Sequence, residues 1–197
     1  MQAAFWHAKG DLKDRLKYEF IAICRACNAV GIRMLVVPLV DQGRLESITQ
    51  EDELVDFLLC QQDFFEEQRI QIIFESDYSP RELCRFISRL PSKSFGVNYD
   101  TGNSAALGFD PVEEFAAYGP RVLNVHIKDR VFGGNTVPLK TGATKFPIVF
   151  AELAKIGYSG NLILQTARAM DNGHAKVLED YRDMTIEWVR DSFLGSH

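Results

Sequence analysis

The stretch SFGVNYDTGNSAALGFDPVEEFAAYGPRVLNVHIKD, residues 94–129, has a β-rich run at each end and an amphipathic segment between them. SFGVNYD (94–100) and VLNVHIKD (122–129) are short apolar runs that close on polar groups, the pattern of strands buried within a sheet. Pro111–Tyr118 carries apolar residues at helical spacing, and Pro111 stands where a first helical turn tolerates a missing N–H. Strand, helix and strand in that order predict a right-handed crossover between parallel strands.

The same unit recurs on both sides. IRMLVVPLV (32–40), IQIIFES (70–76) and NLILQTA (161–167) bring the predicted strands to five. Helical spacing appears over Leu16–Ala29, Glu51–Gln68, Pro80–Leu90 and Phe146–Ile156, with Leu178–Phe193 closing the chain. Gly31 and Gly157 fall between helices and the strands that follow them, and Gly96 lies at the start of the SFGVNYD run. An α/β fold is expected, either a doubly wound sheet or part of a β/α barrel, with residues 1–197 forming a single domain.

The strand ends narrow the choice. Glu75, Asp100, His126 and Gln165 each close one run, and alternation puts each on the same side as the residue two before it: Ile73, Asn98, Asn124 and Ile163. In a β/α barrel the C-terminal ends of the strands form the active-site face. Two carboxylates, an imidazole and a carboxamide oxygen suit a divalent cation such as Mn²⁺, Mg²⁺ or Zn²⁺. A metal there would polarise a sugar carbonyl, and Glu75 would take the proton from the neighbouring carbon, which opens isomerisation or epimerisation through an enediolate. Lys128, Arg130 and Arg168 follow the last two strands, with Gly133-Gly134 in the loop between, so a sugar phosphate is the expected ligand. The plainer reading pairs Lys128 and Arg130 with Asp129 or glutamates on a solvated loop.

Composition excludes other classes. The net charge of −5, from 22 basic and 27 acidic residues, disfavours a protein whose affinity comes from neutralising a phosphate backbone. No apolar run approaches the roughly 18–20 residues of a membrane span, and the start has no cleavable leader pattern, so a cytoplasmic chain is expected. Cys24 and Cys27 share an apolar helical stretch and read as helix-face thiols; Cys60 and Cys84 are too scattered for a disulfide framework. His174 reads as a loop histidine, and Trp188, at helical spacing from Met184, as core.

The segment YDTGNSAALGFDPVEEFAAYGPRVLNVHIKDRVFGGNTVPL (99–139), with VVPLVD before it and GYSGNLILQTAR after it, resembles the sugar phosphate isomerase/epimerase family of xylose isomerase-like TIM barrels. YDTGN and VHIKDR in this order and spacing carry the resemblance, which extends from about residue 12 to 190. It implies a metal held by Glu, Asp, His and Glu from successive strands, with both glutamates moving protons. Glu75, Asp100 and His126 match the first three positions, and Gln165 stands at the fourth. Asn103, Lys128, Arg130 and Arg168 are the expected substrate contacts. Gln165 can ligate through its oxygen but cannot exchange protons near neutral pH, which leaves one-base chemistry. Such a barrel has eight units, so five strands imply a partial barrel lacking its first strands, with open edges that a second copy of the chain would cover. The alternative is a catalytically inactive barrel remnant that binds a sugar phosphate or metal, or mediates assembly.

Overall fold

The computed structural model describes residues 3–169 and 172–194. Five strands, β1 (Met34–Leu39), β2 (Gln71–Ser76), β3 (Phe95–Asp100), β4 (Val122–Ile127) and β7 (Asn161–Leu164), form one sheet in that order. Two-residue strands β5 (Asp129–Arg130) and β6 (Thr136–Val137) pair antiparallel as a small ribbon. Pairing is parallel for β1 with β2, β2 with β3 and β4 with β7, as crossover connections require. All five predicted strands are present, although β7 stops one residue before Gln165.

The helices depart further from expectation. The first, α1 (Gly10–Ala29), begins six residues before Leu16, because the polar DLKDR segment continues the turn on its solvent side. The segment predicted as one helix over 51–68 is two, α2 (Ile48–Cys60) and α3 (Gln62–Glu67), divided at Gln61, whose φ/ψ of −105°/10° leaves the helical region. Then come α4 (Pro80–Ser88), α5 (Thr101–Leu107), α6 (Pro111–Tyr118), α7 (Phe146–Lys155) and α8 (His174–Val189). Among the described residues no helix is long and apolar enough to cross a membrane.

The chain divides into two compact units: residues up to Tyr78 with Glu82–Val97, and Ser79–Arg81 with Asn98 onward. In the first, edge-to-face aromatic rings link α1, α2, α3 and the start of β3: Phe20 meets Phe57 at 5.9 Å and Phe65 at 6.3 Å, and Phe65 meets Phe95 at 5.8 Å. Glu51 on α2 is wholly buried yet fully bonded. It accepts from Arg85 twice and from Arg89, each at 2.7 Å, and from the Tyr78 hydroxyl at 3.0 Å. Those bonds offset the desolvation of its charge and tie α2 to α4. Cys24 faces this core, and burial pushes its thiol up to about 12, which removes thiolate chemistry; Cys27 is half-buried on the same helix.

The second unit packs Val125, Phe150, Leu153 and Trp188 into its core. Trp188 is buried, as its helical spacing predicts; it stacks on Phe146 at 4.3 Å, and the Lys140 ammonium lies 5.5 Å from its ring centre. Glu114 on α6 is 2% exposed and accepts from the hydroxyls of Tyr118 at 2.7 Å, Tyr99 at 2.9 Å and Ser104. These bonds fasten the end of β3 and the start of α5 to α6.

Candidate functional site

In the first unit, Glu75 is half-buried near the C-terminal end of β2, in register with Pro38 of β1. The other strand-end groups belong to the second unit. Asp100 ends β3 and caps α5: its Oδ1 accepts the Asn103 N–H at 2.8 Å. That bond fixes the carboxylate and turns Oδ2 toward two groups, His126 Nδ1 at 3.7 Å and Lys128 Nζ at 3.2 Å. The Asp100 side chain is only 1% exposed and His126 13%, so both present their polar atoms in a largely dehydrated setting.

Two asparagines orient the histidine. Asn124 Nδ2 donates to Asn98 Oδ1 at 2.5 Å, which directs the Asn98 amide nitrogen at His126 Nδ1, 3.2 Å away. The amide and the ring nitrogen lie within hydrogen-bond distance of each other, which holds the orientation of the ring. Asn98 and Asn124 were absent from the expected site residues. Alternation had already put them on the side of Asp100 and His126, and two buried amides there are the signal that they serve the site.

Lys128 is held through both its backbone and its side chain. Its main-chain N–H donates to Thr101 Oγ1 at 2.9 Å, and the Thr101 hydroxyl donates to its carbonyl at 2.6 Å. A Cβ on Gly102 would come within 2.7 Å of Lys128 Cγ, so the glycine in YDTGN leaves room for the lysine stem. The ammonium donates to Asp100 Oδ2 at 3.2 Å, Asn103 Oδ1 at 3.3 Å and Gln165 Oε1 at 2.9 Å. Arg130 reaches the same Asn103 oxygen through Nη1 at 2.8 Å and donates through Nε to the Gly134 carbonyl at 2.9 Å.

Asp129 does not pair with these cations. It is wholly buried and accepts the main-chain N–H groups of Gly142 at 2.9 Å and Thr144 at 3.0 Å, so it holds the loop before α7. The glycine follows from the same packing, since a Cβ at 142 would lie 2.3 Å from Asp129 Oδ1. Lys145 turns away to Asp110 at 3.1 Å.

Asp100, Asn103, His126, Lys128, Arg130 and Gln165 therefore form one connected group. Arg168 is exposed and lines a cleft of about 480 Å³ with Gln165 and His174. His174 begins α8, exposed, and its Nδ1 accepts the Ala169 N–H at 3.2 Å; Met170 and Asp171, next to it in the expected MDNGH loop, lie outside the described residues.

Comparison with known proteins agrees with this architecture. The family model described as xylose isomerase-like TIM barrel matches residues 3–190. A xylose isomerase domain protein from Planctomyces limnophilus superposes with TM-score 0.80 at 19% identity, over 96% of this chain and 71% of that one. The IOLI protein with a bound zinc atom gives 0.76 at 18%, over 94% and 73%. D-psicose 3-epimerase, solved in the presence of D-fructose, gives 0.75 at 14%, over 96% and 74%. At these identities the likeness is one of fold: an α/β chain with five parallel strands that covers about seven-tenths of TIM-barrel structures. The rhizopine catabolism protein MocC of Rhizobium meliloti is 29% identical over 121 residues, which is 52% of this chain and about a third, 36%, of that protein's length.

Proposed function

The chain belongs to the xylose isomerase-like TIM barrel family, and from that premise we propose that it is a metal-dependent isomerase or epimerase of a ketose or ketose phosphate. The observation that carries the reading is the Asp100–His126 pair, in which Oδ2 and Nδ1, each oriented by other bonds, face one another at 3.7 Å in a nearly dry setting. Mixed oxygen and nitrogen donors of this kind fit Mn²⁺, Mg²⁺ or Zn²⁺. Glu75, Asp100 and His126 each offer one ligand atom and are the proposed metal ligands. When bound, the cation would supply Lewis-acid polarisation of a sugar carbonyl or hydroxyl.

The chain's own residues do the rest. Glu75 takes the proton from the carbon beside the carbonyl. The electron pair of that C–H bond moves into the enediolate, whose oxygen carries the charge. In isomerisation Glu75 returns the proton to the neighbouring carbon on the same face while the proton of that carbon's hydroxyl passes to the former carbonyl oxygen; epimerisation needs a proton donor on the opposite face, such as a solvent water, because Gln165 cannot supply one. Arg130 and Arg168, with Asn103, are the proposed contacts for a phosphate or the sugar hydroxyls. A second copy of the chain covering the outer strands β1 and β7 belongs to the same proposal; Ile163 on β7 is 46% exposed.

The test is metal content with solvent-deuterium exchange into D-ribulose 5-phosphate, D-fructose 6-phosphate and their free sugars. Stoichiometric metal with exchange is expected, and His126→Ala lowers metal affinity by at least about tenfold. Arg130→Ala weakens phosphorylated ligands more than free sugars, charge-assisted bonds being worth about 1.5–3 kcal/mol. Metal without exchange supports the second reading, a binding-only remnant, which the carboxamide at position 165 favours because it cannot carry a proton. An unchanged metal content in His126→Ala refutes the ligand assignment.

A further inference from the structure

Lys128 and Gln165 have a relation that metal ligation leaves unexplained. The ammonium sits among three oxygens from three elements: Asp100 at the end of β3, Asn103 in α5 and Gln165 beyond β7. Its backbone is clamped at both polar atoms by Thr101, and its stem fills the space left open by Gly102. The side chain is 15% exposed. Holding a cation this firmly next to a carboxylate restricts a flexible side chain and partly dehydrates a strongly hydrated group, so the placement is costly unless the charge is used. Gln165 spends its acceptor on that cation, at 2.9 Å, the shortest of the three contacts.

We infer that Lys128 is the electrophilic group of the site and Gln165 its positioning residue, the ammonium donating a hydrogen bond to the substrate oxygen that becomes negative in the enediolate. This rests on the isomerase/epimerase reading and names the chain's own partner for the developing charge. The longest of the three contacts, to Asn103 at 3.3 Å, is the one a substrate oxygen replaces. Asn103 loses nothing essential, because Arg130 still donates to the same oxygen at 2.8 Å. Asp100 and Gln165 keep the ammonium aimed throughout. A preorganised donor of this kind lowers the barrier without reorganising during the reaction. Gln165 is then no metal ligand: unlike the Asp100 carboxylate, its neutral carboxamide oxygen has no charge to offset a second cation beside the ammonium.

The experiment pairs Mn²⁺ titration calorimetry with steady-state deuterium exchange on the sugar phosphate that the wild type turns over. Lys128→Met should bind Mn²⁺ as tightly as the wild type or more tightly, with kcat lower by about 10²–10³-fold, the scale for losing one oxyanion donor. Lys128→Ala supplemented with ethylammonium should recover part of that rate, which a purely structural lysine would not permit. Gln165→Leu should leave Mn²⁺ affinity within about twofold, where loss of a metal contact costs tenfold or more, and should lower kcat with KM nearly unchanged. Gln165→Glu, which keeps an acceptor oxygen, should restore most of that kcat. Exchange that survives Lys128→Met overturns this inference alone, as does a Gln165→Leu variant with tenfold weaker Mn²⁺ binding. A wild type that holds Mn²⁺ but exchanges no substrate overturns the isomerase reading, and this inference with it.

Discussion

Replacing Glu114 tests how the site is braced. Its carboxylate is 2% exposed and takes three hydroxyl donors, Tyr99, Ser104 and Tyr118, from β3, α5 and α6. In Glu114→Ala the Tyr118 and Ser104 hydroxyls lose their acceptor, while Tyr99 keeps a long contact to Ser104 Oγ at 3.4 Å. Two buried donors left unsatisfied at about 1–3 kcal/mol each, plus a small cavity, predict a loss of about 3–5 kcal/mol. Burial is the main influence on Glu114 and raises its pKa above the ordinary carboxylate value, against the lowering effect of the hydroxyl bonds. The folded protein therefore keeps this proton to higher pH than the unfolded chain. The resulting stability is fully present below the ordinary carboxylate value and is lost as pH rises through the folded one. Glu114→Gln, neutral throughout, should abolish that slope, cost less than Glu114→Ala, and compare more favourably with the wild type as pH rises from 4 to 8. Urea unfolding of the three proteins across that range is the assay. Parallel stability curves for wild type and Glu114→Gln, or a loss below about 1 kcal/mol in Glu114→Ala, would refute the reasoning.

Gly102→Ala puts a Cβ 2.7 Å from Lys128 Cγ and 3.1 Å from its carbonyl carbon. It should cost about 1–3 kcal/mol in thermal unfolding, and Gly102→Ala/Lys128→Ala should recover part of the loss. Glu51→Ala strands Arg85 and the Tyr78 hydroxyl and leaves Arg89 with Asp52 at 2.7 Å; because both arginines keep access to water, the expected loss is about 2–3 kcal/mol, below that of a fully buried broken pair. Asp129→Ala removes the acceptor for Gly142 and Thr144, so hydrogen exchange across 138–145 should accelerate while β4 stays protected.

Five strands and the polar groups at their ends were legible in the sequence because both rest on a period of two: a buried strand must be apolar, and the side of Glu75, Asp100 and His126 follows from counting residues. The burial of Trp188 follows in the same way, since helical spacing assigns a buried face, whereas its stacking on Phe146 comes from the packing of distant elements. Helix α5 is hidden in the sequence because TGNSAAL is short, polar and contains a glycine, and its start depends on a cap from Asp100, a residue whose strand position signals a different role. The partners of the charges were likewise decided by tertiary structure. Chain neighbours suggested that Lys128 and Arg130 would pair with Asp129, yet strand alternation turns Asp129 to the opposite side, where loop amides saturate it. Lys128 instead meets Asp100, Asn103 and Gln165, residues 25 to 37 positions away in the chain. Periodicity specifies which way a side chain points; which oxygen waits there depends on the packing of distant elements, and that only the folded chain determines.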